Sequence, residues 1–191
     1  MGDIHAEYVD IHYIMQENSE HLGEKNYLVS LDQQKCLTFS EINYYSNKVA
    51  NFLKNKGVKK DDKICLIGEN SIETMIIFFG VLKYGAIISP LNVDESKENI
   101  HHIINRLSPR FVIHDEKINF DHANTTYSWI PLSDFDREKR TEGDFSSLIR
   151  DYDFSFKTPI AGRNDIAEIF SLQVLQISQK RSSPLDRVFF I

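Results

Sequence analysis

Seven histidines, two cysteines, a few paired acids and a handful of turn glycines are the residues through which this sequence could do chemistry. His101 and His102 are adjacent, so on a helix they point about 100° apart and do not face one ion. His114-Asp115 falls at a strand end and His122 in a loop. A zinc or iron centre needs three or four convergent ligands, and no spacing here supplies them, so the histidines read as surface residues. Cys36 and Cys65 are far apart and both sit beside apolar residues. They suit neither a disulfide framework nor a zinc site and read as buried thiols of a reducing cytoplasm. Cys65 has no neighbouring cation to make it a nucleophile. Gly68 follows an apolar strand, as a phosphate loop would. However, Gly68-Glu69-Asn70 puts a carboxylate where phosphate should sit, so it reads as a turn. Lys59-Lys60-Asp61-Asp62 reads as a solvated loop. The nucleophile elbow, the P-loop and the dinucleotide fingerprint are all absent from the sequence. No residue is assigned a catalytic, cofactor-binding or metal-ligating role, and no cofactor is expected in the chain.

The elements that would position any site are easier to read. Tyr8, Ile11, Ile14 and Met15 recur at helical spacing, and Tyr27-Leu28-Val29 reads as a short strand. Thr38-Phe39-Ser40-Glu41 fits a capping box. It opens a helix with Ile42, Tyr45, Val49 and Leu53 on one face and Gly57 at its left-handed end. Ile64-Cys65-Leu66-Ile67 has the continuous apolar pattern of a strand buried on both faces. Residues 70–73 cap a second helix, apolar from Met75 to Leu82 and stopped at Gly85. Ala86-Ile87-Ile88-Ser89-Pro90 is the next strand, closed by its proline. Ile100, Ile103, Ile104 and Leu107 mark a third helix that Pro109 ends, and Phe111-Val112-Ile113 is a further strand. The stretch 126–130 is a candidate strand, 133–164 reads as a polar surface excursion, and Ile166–Phe170 is a last strand. Strands alternating with helices predict an α/β fold: a mostly parallel sheet with helices on both faces.

Composition limits the partners. Twenty-two basic against 28 acidic side chains give a net charge of −6, against a broad nucleic-acid surface. No apolar run reaches the ~20 residues of a membrane span, and Met1–Glu7 carries acids rather than a secretory h-region. The expectation is a cytoplasmic protein with neither nucleic acid nor a membrane span among its partners.

Three segments in order carry a family resemblance. Leu37-Thr38-Phe39-Ser40-Glu41-Ile42 is similar to an L-T-Y-x-E-L motif. Residues 57–67 are similar to G-V-x-x-G-D-x-V-x-[IL], with Asp61 where glycine is usual. Residues 82–92 are similar to L-K-x-G-[AG]-x-x-x-P-[IL]-[ND]. Together, Leu37 to Asp115 resembles the N-terminal part of the adenylate-forming enzymes: acyl-CoA synthetases, fatty acyl-AMP ligases, luciferases and peptide-synthetase adenylation domains. The resemblance implies the first subdomain of that family's N-terminal domain. It also implies a parent activity, in which a fatty or aryl carboxylate is activated with ATP and magnesium to an acyl-adenylate. The acyl group then passes to CoA or to the phosphopantetheine of a carrier protein. The phosphate-gripping loop and the catalytic lysine of the family follow the region covered here.

Residues 165–170 resemble the strand that leads into that loop, but Ser171–Arg181 contains no glycine. Codons permitted by Ser171–Lys180, read two bases along, spell T-S-G-S-T-D-I-P-K, which matches the loop up to its lysine. The expectation is an AMP-binding subdomain over 1–170 and a frameshift-derived tail over 171–191, in a truncated ligase inactive by itself. The alternative is a non-catalytic module pairing with the rest of the ligase or with an acyl carrier protein. A homodimer is also expected. Ile76, Phe79 and Val81 would present an uncovered apolar face, with Val174, Leu175, Ile177, Val188, Phe189, Phe190 and Ile191 close to the contact.

Overall fold

The computed structural model describes residues 9–115, 127–132, 145–157, 159–162, 164–172 and 187–190. In chain order the elements are α1 (Ile11–Leu22), β1 (Asn26–Ser30), β2 (Lys35–Thr38), α2 (Phe39–Asn55), β3 (Lys63–Ile67) and α3 (Ile72–Tyr84). They continue with β4 (Ile87–Leu91), α4 (Lys97–Leu107), β5 (Phe111–Asp115), β6 (Ser128–Leu132), α5 (Phe145–Ile149), β7 (Ile169–Leu172) and β8 (Arg187–Phe190).

Local signals place most boundaries. At the start of α2 the Thr38 hydroxyl accepts from the Glu41 N–H at 3.2 Å, and the Glu41 carboxylate accepts from the Thr38 N–H at 2.8 Å. This is the expected capping box. Ser71 and Thr74 make the same exchange at the start of α3. Gly85 ends α3 at φ +94°, and a Cβ there would lie 2.5 Å from the Ala161 nitrogen, so both conformation and space require glycine. Asp61, where the resembling family usually has glycine, sits at φ +70°. Aspartate is among the few residues that tolerate that region.

β3, β4, β5 and β6 form one parallel sheet in the order β4-β3-β5-β6. Side chains alternate across it. Ile64, Leu66, Ile88 and Ile113 join Val49, Leu53, Ile76 and Ile77 of α2 and α3. On the opposite face Cys65, Ile67, Leu91 and Val112 meet Ile100 and Ile104 of α4. The predicted two-faced α/β arrangement is therefore present. β1 and β2 pair antiparallel as a separate hairpin, docked on α3 through Gln33. The Gln33 side-chain carbonyl accepts from the Ile72 N–H at 2.8 Å, and its amide donates to the buried Glu73 carboxylate at 2.6 Å.

Several expectations are corrected. Pro90 does not close its strand: β4 pairs with β3 through Leu91, with Pro90 opposite Leu66. The reason lies on the other edge. The Ile88 N–H donates outward to the Ala167 carbonyl at 3.0 Å, so two residues on, the missing proline N–H also faces β7 rather than β3. The Ser89 hydroxyl donates to the Ile169 carbonyl at 3.0 Å in its place. Residues 145–156 are a surface excursion only in part: Phe145, Ile149 and Phe156 are buried in the main core, while Arg150, Asp151 and 153–155 are exposed. Residues 133–144 lie outside the described residues. α1 forms as predicted, but His12 and Met15 face inward while Ile14 is exposed. Tyr8 is outside the described residues.

Ile76 and Val81 are buried within the chain, and Phe79 is half-buried beside Tyr27 at 5.9 Å. α2 and the hairpin cover the face of α3 that was expected to seek a partner, so that ground for a homodimer falls. The tail residues invoked with it, Val174, Leu175, Ile177 and Ile191, lie outside the described residues. So do the side chains of Val188, Phe189 and Phe190.

Candidate functional site

In open parallel α/β sheets, ligands bind beyond the carboxyl ends of the strands. Here that edge is built from turns. After β3, Gly68-Glu69-Asn70 leads into α3, with the Thr74 hydroxyl donating to the Glu69 carbonyl at 3.0 Å. After β4, the Asn92 side chain accepts from the Asp94 N–H at 3.1 Å. The backbone of β7 runs to Leu172, and residues 173–186 are outside the described residues.

The residues weighed in the sequence are not brought together. His101 and His114 flank Trp129, with ring centroids 6.4 and 5.6 Å away. His114 is buried, not a surface histidine, because it lies in β5 between β3 and β6. His102 is exposed and His122 is outside the described residues. No group of three or more His, Cys, Asp or Glu that could hold a metal ion occurs among the described residues. Cys65 is fully buried and burial pushes its thiol pKa up, whereas Cys36 is exposed, against expectation. It sits in β2 of the separate hairpin, outside the main sheet. Lys60 pairs with Asp165 at 2.7 Å. That hydrogen bond and the Gly162 N–H hold the Asp165 carboxyl below its ordinary value.

The structure does assemble one polar cluster that the sequence reading missed, between α1, α2, α3 and residues 150–157. Lys83 of α3 is fully buried. Its ammonium donates to the Asn43 side-chain carbonyl and lies 3.4 Å from the Ser46 hydroxyl. Burial pulls its pKa down to about 7. His12 of α1 is 2% exposed, and its imidazole is held below its ordinary value, first by burial and then by Lys83, with Asp10 opposing.

Asn43, Asn47, Asn51 and Asn55 recur every four residues along one face of α2. Asn47 donates to the Phe154 carbonyl at 2.7 Å. Asn51 donates to the Asp153 and Ser155 carbonyls at 2.7 and 2.9 Å, and Asn55 accepts from the Tyr152 hydroxyl at 3.1 Å. His12, Asn43, Asn47 and residues 154–157 line a recess of about 440 Å³. The only legible signal for this ladder was the four-residue spacing, which normally marks a solvated face.

The fold is that of an α/β protein with helices on both faces of a parallel sheet. The family model for AMP-binding enzymes matches residues 15–170, and the chain belongs to the AMP-binding enzyme family. It is 32% identical to bacitracin synthase 3 of Bacillus licheniformis over 118 residues, 61% of this chain and 2% of that protein. An anthranilate CoA ligase, AuaEII, solved with anthranoyl-AMP, superposes with TM-score 0.76 at 23% identity, covering 87% of this chain and 33% of the ligase. The inhibitor-bound N-terminal domain of FACL13 from Mycobacterium tuberculosis gives 0.75 at 18% identity, over 96% of this chain and 44% of that one. The chain thus spans a small part of its curated relatives and less than half of these structures. Its fold matches the N-terminal domain of adenylate-forming enzymes, and the resemblance drawn from the three motifs holds. No helix among the described residues is long and apolar enough to cross a membrane.

Proposed function

We propose that residues 1–170 are the first subdomain of a ligase that activates a carboxylate with ATP and magnesium and passes the acyl group to CoA or to a carrier protein. We further propose that this chain alone does not catalyse the reaction. The observation that carries the reading is the junction after Phe170. The family match runs to residue 170, and residues 171–191 contain no glycine. Adenylate transfer depends on positioned backbone donors and cations around the phosphates, and a glycine-free segment does not supply such a loop. A reducing cytoplasm suits two free cysteines, one of them exposed.

Pyrophosphate exchange with ATP tests this, using a panel of amino, aryl and fatty acids. The expected result is no exchange above the protein-free background, and exchange at any acid overturns the reading. Its second form, a non-catalytic module that pairs with the rest of a ligase, is favoured by the same junction. Adding a separately made segment covering the remainder of the family fold is then expected to restore exchange.

The tail is proposed to arise from a shifted reading frame, because its permitted codons also spell the missing loop. Sequencing the gene through the codons for Glu168–Arg181 is expected to read T-S-G-S-T-D-I-P-K in the shifted frame. Codons that cannot spell it would remove the frameshift and leave the fold assignment untouched.

A further inference from the structure

Residues 150–157 are tied to α2 largely through their own main chain. Four of their carbonyls accept from α2 side chains: Arg150 from Lys48, Asp153 and Ser155 from Asn51, and Phe154 from Asn47. Main-chain grips of this kind hold an irregular segment without regard to its side chains. One deeply buried side chain anchors the far end. Phe156 is 4% exposed, edge-on to the His12 ring at 5.5 Å and 88°, and 6.0 Å from Tyr84. We propose that residues 150–157 form a strap whose seating on α1 and α2 is set by the charge on His12: seated while the imidazole is neutral, lifted when it is protonated beside Lys83.

The geometry explains why His12 is the control point. Its Nδ1 is buried and has no hydrogen-bond partner among the described residues; the Asn47 Oδ1 also has none, and although both residues line the recess the two atoms are not bonded to each other. A neutral imidazole leaves Nδ1 as a weak unmet acceptor, whereas an imidazolium puts an N–H and a full charge there. The neighbours do not compensate. Lys83 faces it from α3 and repels it, and Asn43, Ser46 and Asn47 from α2 are uncharged. Asp10 attracts it, but its carboxylate is already committed to the His12 backbone N–H at 2.8 Å as the α1 cap. Glu20 and Lys157 stand on the recess wall with opposite signs, and Tyr13 adjoins the ring. Along the strap, Arg150, Asp151 and Asp153 point their charges toward solvent.

The sign follows from a base whose pKa is lowered by docking. The seated state binds fewer protons, so its stability is complete above the ordinary histidine value near 6.5 and falls as pH drops below it. Lys83, lowered to about 7, weakens seating over the more alkaline range and carries its charge by the time His12 titrates.

Hydrogen exchange on the full chain, with protection factors corrected for intrinsic rates, reads this directly. Between pH 7.5 and 5.5 the amides of 150–157 are expected to lose about fivefold or more in protection relative to the centre of α2. His12→Gln is expected to hold the change below about twofold, and Asn51→Ala to lower protection at both pH values without moving the midpoint. A wild-type strap unchanged within twofold, or an equal loss in His12→Gln, overturns the proposal. Should His12→Gln not fold, the His12 ring titration in the wild type is followed by NMR. A midpoint apart from that of the strap overturns the proposal equally.

Discussion

Replacing Gly80 with leucine is expected to abolish cooperative folding of this chain. Gly80 lies where α3 crosses α2, and a Cβ added there would stand 2.4 Å from both Cβ and Cγ1 of Val49 and 3.1 Å from the Ser46 carbonyl. Val49 is completely buried, so it has nowhere to retreat and the helices must part. Alanine tests the boundary. Helix propensity alone would favour it over glycine by about 1 kcal/mol, yet overpacking of this kind costs about 1–3 kcal/mol, so a net loss is expected. Leucine adds three more carbons at the same point and should exceed ~4 kcal/mol, which approaches the whole margin of a domain at the low end of the usual ~5–15 kcal/mol. Urea denaturation followed by circular dichroism measures both. Gly162→Ala is the control, since its Cβ would meet only Asp165 at 3.9 Å, and it should stay within about 0.5 kcal/mol of wild type. A Gly80→Ala protein as stable as wild type would mean that the crossing is looser than it looks.

Phe52→Ala should cost about 3–5 kcal/mol, the range for deleting a buried phenylalanine. Phe52 is 1% exposed and joins three layers. Its ring lies 5.9 Å from Phe111 of β5, 5.3 Å from Phe145 of α5 and 5.7 Å from Tyr152, the last two edge-on at 71° and 86°. Truncation removes the apolar transfer term, the edge-on contacts and the support under α5 together. Phe52→Leu keeps much of the volume and should cost less than half as much. Equilibrium denaturation decides it, and a loss below ~1 kcal/mol for the alanine variant would show that α5 does not depend on this ring.

The two substitutions differ in how far the sequence announces them. Phe52 sits one residue before Leu53, next to the apolar face that Ile42, Tyr45, Val49 and Leu53 mark on a helix whose start, at Thr38 and Glu41, is plain from local chemistry. Gly80 is not so announced. Within an apolar run it looks like a weak point, and only the crossing with Val49 shows that a larger residue has no room. The same division runs through the candidate site. The three motifs that carried the family resemblance are local features: a capping box, a turn whose Asp61 takes a positive φ, and a helix end at Gly85. The polar cluster is made of partners far apart in the chain, such as Asn47 with Phe154, 107 residues on. No local pattern reports such a pairing.

By itself, then, the sequence determined the alternation of helices and strands from α2 to β5, the starts of α2 and α3 and their glycine ends, the parallel α/β class and the family, because each depends on hydrogen bonds and apolar spacing within a few residues; β2 and α5 were not legible in it. The tertiary structure alone decided which apolar faces are covered, that Pro90 lies inside a strand, and that His12, Lys83 and the α2 asparagines meet around residues 150–157. Those outcomes depend on which surfaces exclude water from one another. A buried lysine or an unmet histidine nitrogen exists only once the segments that enclose it have packed.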